Sequence, residues 1–96
     1  MRFRVDDLEF DAYNEEEMHR HHVTRREVRQ VYENDSLYLS NKKGHDAPLV
    51  MIGRTFGGRL LTVPLGRTAI ETIWRPASAW ESSPNEVARY LAAGGR

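Results

Sequence analysis

The 96-residue chain carries 14 Lys/Arg and 14 Asp/Glu, for a formal net charge of +0, with 40% hydrophobic and 29% charged residues. That length supports one domain with one modest core and excludes two. The absence of cysteine excludes disulfides and thiolate zinc sites, which fits a cytoplasmic setting. No apolar run approaches a membrane span, and no basic–apolar–small order marks a signal peptide.

The neutral total hides an asymmetry. Residues 1–48 hold 8 Lys/Arg against 11 Asp/Glu, a net of −3, whereas residues 49–96 hold 6 Arg against 3 Glu, a net of +3. Every basic residue of the second half is arginine, whose planar fork matches phosphate. An anionic ligand and an ordinary solvated surface both fit this pattern.

Arg2-Phe3-Arg4-Val5 alternates as a strand would, with Leu8-Glu9-Phe10 extending or following it. Asn14, three residues before Glu17, is a candidate helix cap. Glu15, Glu16 and Glu17 suit the positive end of the helix dipole, giving a short helix over 15–21 that closes near His22. Thr24 and Glu27 then form a capping box. Val23 and Val28 have the spacing of a hydrophobic staple, and a second helix runs from Arg25 to about Glu33. Asn34-Asp35-Ser36 ends it.

Leu37-Tyr38-Leu39 is a short strand, followed by a polar loop containing Lys42-Lys43-Gly44. Leu49 to Ile52 is apolar enough for a buried strand, Thr55-Phe56-Gly57-Gly58 is a hairpin turn, and residues 59–63 return from it. Pro64 predicts an end or a bulge there. The last strand is expected from Ile70 to Trp74, stopped by Pro76. Ser83 and Glu86 make a third capping box around Pro84, with Val87, Tyr90 and Leu91 facing the core and residues 93–96 frayed. The expectation is a single α+β domain over 1–96, ordered over about 2–92. Its order is a strand, two short helices, an antiparallel sheet of three to four strands and a C-terminal helix.

Three of the four histidines crowd the joint between the two helices. His19 and His22 are three apart, Glu15 lies one turn earlier, and His45 could add a ligand, so a zinc site is one alternative. The spacing matches no established zinc motif, and no metal or other cofactor is assigned.

Several segments together resemble BrnT-type toxins. Leu8-Glu9-Phe10-Asp11 is similar to their F-x-W-D opening. Arg20-His21-His22-Val23-Thr24 resembles the K/R-H-G-V-[ST] joint, with Glu27-Val28 and Val31-Tyr32 matching the helix after it. Ile52-Gly53-Arg54-Thr55 and Gly58-Arg59-Leu60-Leu61 resemble the I-G-R-[ST]…G-R-L-L hairpin. Arg75-Pro76-Ala77-Ser78 is similar to the A-R-x-A-[ST] segment, and Ser83 to Glu86 with Tyr90 resembles the closing T-x-x-E-x-x-x-Y helix. The likeness runs over roughly residues 8–92 and rests on the order and spacing of motifs that are individually unspecific.

The resemblance implies a RelE-like fold and a metal-independent ribonuclease that inhibits translation in the cytoplasm. It also implies a ribbon-helix-helix antitoxin as partner, and contact with operator DNA only through that complex. A homodimer is left open. Three departures stand out. His22 occupies the usual glycine position and so requires a positive φ. Trp74 replaces the small residue before Arg75, and extra residues including Trp80 separate Arg75 from Glu86.

Metal-free RNA cleavage needs a base, an acid and cations at the phosphorane. The candidates are His21 for proton transfer and Arg54, Arg59 and Arg75 for phosphate, with Arg54 and Arg59 expected close together beside the hairpin turn. Arg20, Arg67, Trp80 and Tyr90 are auxiliary or RNA-binding candidates. Each has a plainer reading: His21 as a cap or core residue, Tyr90 as core, the arginines as solvated surface. Alternatives from other classes are a non-catalytic binding or regulatory module of the same fold, and a metal-dependent enzyme built on His19 and His22.

Overall fold

Two sets of alternating side chains on one sheet divide the molecule into three layers. The computed structural model describes residues 3–96, in the order β1 (Asp7–Leu8), α1 (Ala12–Arg20), α2 (Arg25–Glu33), β2 (Leu37–Ser40), β3 (Leu49–Arg54), β4 (Leu60–Arg67), β5 (Ile73–Pro76), β6 (Trp80–Glu81) and α3 (Pro84–Ala92). The sheet order is β1-β5-β4-β3-β2, with β6 also pairing with β4. On one face Leu49, Met51, Leu61, Val63 and Leu65 pack with Met18, Val23, Val28, Val31 and Trp74, forming the core under α1 and α2. On the other, Val50, Ile52 and Leu60 pack with Tyr90 of α3. A strand buried on both faces explains the continuous apolar run at Leu49–Ile52.

The fold is α+β, in the expected order of elements, but the sheet is larger than predicted and partly parallel. Six strands pair, and β1 lies parallel to β5 with Leu8 opposite Trp74. The expected first strand is displaced. Arg2 lies outside the described residues, and residues 3–5 have no regular structure. Side chains take up carbonyls in that stretch instead. The Trp74 indole donates to the Arg4 carbonyl at 2.8 Å and the Tyr32 hydroxyl to the Val5 carbonyl at 3.1 Å.

Helix α1 starts three residues earlier than predicted. Asp11 is its cap, accepting from the Asn14 amide at 2.8 Å, while the Asn14 side chain accepts from the Asp11 amide at 2.9 Å. Asn14 is therefore the reciprocal residue of a capping box, fully buried, with its side-chain nitrogen donating to the Glu9 carbonyl at 3.0 Å. Helix α2 and its Thr24–Glu27 box match the expected bounds.

β4 runs through Pro64 without a break. The Leu60 carbonyl accepts from Ser82 at 3.0 Å and the Pro64 carbonyl from Ala77 at 2.9 Å, so backbone groups at even positions face β6 and β5. The donor that Pro64 lacks would point the same way, into the 77–79 bend between those strands. No ladder bond to β3 is lost. β5 begins at Ile73 rather than Ile70, because the Thr68 hydroxyl holds the preceding residues in a turn. It lies 2.8 Å from the Ile70 carbonyl and 2.6 Å from that of Ile73. Ile70 is left 62% exposed.

Two further expectations change at the C-terminal end. Leu91 is 52% exposed, so Val87 and Tyr90 alone turn inward from α3. The tail is tied down rather than frayed. With Gly94 at φ 97°, the Gly94 amide donates to Leu91 at 3.1 Å and the Gly95 amide to Tyr90 at 2.9 Å. That pattern is a Schellman motif. Among the described residues, no helix is long and apolar enough to cross a membrane.

The α1–α2 joint closes through a second Schellman motif. His22 has φ 59°, its amide donates to His19 at 3.0 Å, and the Val23 amide donates to Met18 at 3.0 Å. Val23 and Met18 are both fully buried, which supplies the apolar contact this motif favours. A left-handed conformation costs a non-glycine residue about 1 kcal/mol. Replacing His22 with glycine should therefore raise stability by about 1 kcal/mol, or about 4–8 °C in Tm for a domain of this size. A calorimetric melt of His22→Gly that is unchanged or lower would contradict the conformation described.

Candidate functional site

The joint and the β3–β4 hairpin form one structural unit because Arg59 joins them. Its Nη1 donates to the His22 carbonyl at 2.8 Å and to Glu27 Oε2 at 3.1 Å, while Nε donates to Glu81 Oε1 at 3.2 Å. Glu27 also closes the Thr24 box, accepting from the Thr24 amide at 3.1 Å. One carboxylate thus serves both the start of α2 and the base of the hairpin. Burial alone would lower the Arg59 pKa, but hydrogen bonds to Glu27 and Glu81 outweigh it and hold the guanidinium firmly charged.

His21 caps α1 beside this unit. Its ring is exposed and meets Trp80 edge-on, with centroids 5.9 Å apart. Among the described residues the imidazole makes no hydrogen bond, which leaves both ring nitrogens open to a ligand. Trp80 is held from its other side, its indole nitrogen donating to both Glu86 carboxylate oxygens at 3.0 and 3.2 Å.

The other expected arginines lie elsewhere. Arg54 pairs with Leu60 in the ladder, so Arg59, one residue earlier on the returning chain, projects to the opposite face. Arg54 lies on the α3 side, where Nε donates to the Arg96 carbonyl at 2.7 Å and Nη1 to the Gly58 carbonyl at 2.9 Å. The expected closeness of Arg54 and Arg59 therefore holds along the chain but not in space. Arg75 grips Asp11 with two parallel bonds of 3.0 and 3.2 Å. Asp11 caps the start of α1 and His21 its end, so Arg75 and His21 are separated by about 15 Å of helix. Of Arg54, Arg59 and Arg75, Arg59 is the one bonded to the joint beside His21, through the His22 carbonyl.

The auxiliary candidates are similarly scattered. Arg67 lies over the Trp74 ring at 4.2 Å, with Trp74 fully buried. Arg20 pairs with Glu16 and Glu17 on α1, and Tyr90 is a core residue, 5% exposed. His22 lies beyond the helix in a left-handed turn and shares no helical face with His19. Among the described residues no three His, Cys, Asp or Glu side chains converge as a metal site.

What the sequence reading missed is the set of carboxylates. Asp11, Glu27 and Glu81 neutralise Arg75 and Arg59. Of these only Glu27 was legible as a capping residue, from the Thr24 box, whereas Asp11 is hidden behind Asn14, which imitates the cap. Glu81 comes from β6, a two-residue strand with no alternation to reveal it. Around Arg59 two carboxylates face one guanidinium, which opposes an incoming phosphate until a ligand displaces one of them. Compared with protein-family models, curated proteins and solved structures, the chain gives no match.

The Arg75 pair has a pH signature. Its hydrogen bonds to Asp11, aided by that of the Asn14 amide, hold the Asp11 carboxyl below its ordinary value of 3.8. A depressed folded-state pKa adds stability that is complete well above the ordinary value and is lost as pH falls through the folded one. Asp11→Asn keeps a good helix cap while removing the charge. The wild-type advantage in Tm over this variant should therefore narrow as pH drops below 3.8. Parallel acid limbs for the two proteins would exclude the linkage.

Proposed function

We propose that this chain is the toxin of a type II toxin–antitoxin pair, a cytoplasmic, metal-independent ribonuclease that inhibits translation. A ribbon-helix-helix antitoxin neutralises it and carries it to operator DNA. The observation that supports this reading best is the φ of 59° at His22. The resemblance to BrnT-type toxins aligns His22 with a glycine, and the backbone there has the conformation a glycine would provide. The hairpin of the resemblance, Ile52 to Leu61, is also bound to that joint through Arg59. In this reading His21 moves the proton, and Arg59 meets phosphate once Glu81, which is 70% exposed in its pair, swings away. Arg75 and Arg54 contribute through RNA that spans more than one of these positions.

A second reading has its own support. Arg59 and Arg75 are paired with carboxylates, Arg54 is bonded to carbonyls, and the three do not converge. That arrangement suits a non-catalytic module of the same origin, kept for antitoxin binding and promoter control.

Induced expression with mapping of RNA 5′ ends separates the two. The ribonuclease reading expects growth arrest and new 5′ ends without added metal. It also expects the cleavage rate to fall by about 100-fold in Arg59→Ala or His21→Ala proteins that still fold. Intact RNA at high protein excess, together with normal growth, would leave the binding module as the function. Loss of cleavage on chelation would contradict the metal-independent mechanism.

A further inference from the structure

A cavity of about 530 Å³ lies on the α3 face of the sheet, and Arg59 does not line it. Val50, Ile52 and Pro64 supply an apolar floor, Trp80 a flat wall, and Lys42 and Arg89 a cationic rim. The volume is in the range that encloses a small organic molecule. Thr62, 1% exposed, also lines it, with its hydroxyl 2.8 Å from that of the half-buried Ser82.

Three features make the cavity selective. The Trp80 ring is fixed by its two bonds to Glu86, so a planar ligand meets an already ordered aromatic surface. Glu86 is itself engaged, accepting also from the Ser83 amide at 2.8 Å, which reduces its repulsion of an anion. Lys42 and Arg89 make no ion pair with a carboxylate among the described residues, unlike Arg59 and Arg75. Arg89 is oriented by one bond, from Nη2 to the Ser40 carbonyl at 2.6 Å, and keeps its other donors. Asp46 shares the rim and competes for the same cations.

We propose that this cavity binds a small anion with a flat aromatic body, either an aryl carboxylate or a nucleoside monophosphate. The ring lies against Trp80 and Pro64, and the acid group meets Lys42 and Arg89. The assignment does not rest on the ribonuclease reading, since Arg59, Glu27, Glu81 and His21 do not line the cavity, although Trp80 also meets the His21 ring.

Titration of the whole ¹⁵N-labelled chain with AMP and with 1-naphthoate, followed by NMR, tests it. The indole N–H of Trp80 reports separately from that of Trp74. Saturable shifts are expected at Trp80, Val50 and Ile52. Adenosine and 1-naphthalenemethanol, the neutral counterparts, should bind about tenfold more weakly. Arg89→Ala and Lys42→Ala should each weaken binding about tenfold, and Asp46→Asn should tighten it. Ala77→Phe places a ring at the exposed mouth of the cavity and should block binding while leaving the core untouched. Saturation by AMP alone assigns nucleotides as the source, and saturation by naphthoate assigns aryl acids more generally. The proposal is overturned if neither probe saturates at about 1 mM or above. Equal binding of the neutral counterparts, or binding that survives Ala77→Phe in a folded protein, overturns it as well.

Discussion

Arg59 is the side chain on which the arrangement of this protein depends, because it joins three segments distant in sequence. From the position just before the returning β4 strand it reaches the carbonyl of the α1–α2 joint, the capping carboxylate of α2 and the carboxylate of β6. An exposed ion pair is worth about 0–1 kcal/mol, so its pairs with Glu27 and Glu81 alone would decide little. The bond to the His22 carbonyl matters more. It holds the one backbone position that must remain left-handed for α1 and α2 to lie on the same face of the sheet. Through that contact the hairpin turn and the helical joint are kept in register.

The same economy limits the chemistry. A guanidinium that holds the architecture together is already satisfied, and a phosphate would have to compete with two carboxylates for it. Arg75 is likewise engaged by the cap of α1, and Arg54 by two carbonyls. Two arginines of the basic second half, Arg59 and Arg75, are thus paired with carboxylates of the acidic first half across the fold. With Arg54 on the other face of the sheet and Arg75 at the far end of α1, a charge asymmetry of −3 against +3 along the chain brings Arg54, Arg59 and Arg75 to no common site. The two cations of the cavity rim that make no ion pair among the described residues, Lys42 and Arg89, come one from each half.

How much was legible depended on how local each determinant was. The Thr24–Glu27 and Ser83–Glu86 boxes span three residues and sit where the sequence puts them. The hairpin at 55–58 is equally local and was readable, whereas the left-handed residue at His22 was expected only through the resemblance that places a glycine there. Asp11 was missed because its box partner is an asparagine rather than the usual glutamate, and Asn14 imitates a cap. The strand ends at Pro64 and Ile70 were misjudged because the outcome rests on long-range geometry. One is set by which side of β4 faces a gap, the other by a threonine hydroxyl competing for strand carbonyls. Whether arginines converge is the least local property of all, since alternation sends Arg54 and Arg59 to opposite faces and α1 separates Arg75 from His21.

The parallel pair of β1 and β5 has a consequence for how the chain reaches this state. Leu8 lies opposite Trp74, and the Trp74 indole bonds to the Arg4 carbonyl across 70 residues of sequence. Closing so long a loop is entropically costly, and contacts of this separation form slowly. The β2–β3–β4 meander and its helical joint rely on much shorter separations and can assemble beforehand. The earliest strand of this domain to be synthesised is then the last to be secured. Until β5 is synthesised and Trp74 is in place, the edge of the nascent sheet that β1 and β5 will occupy stays open.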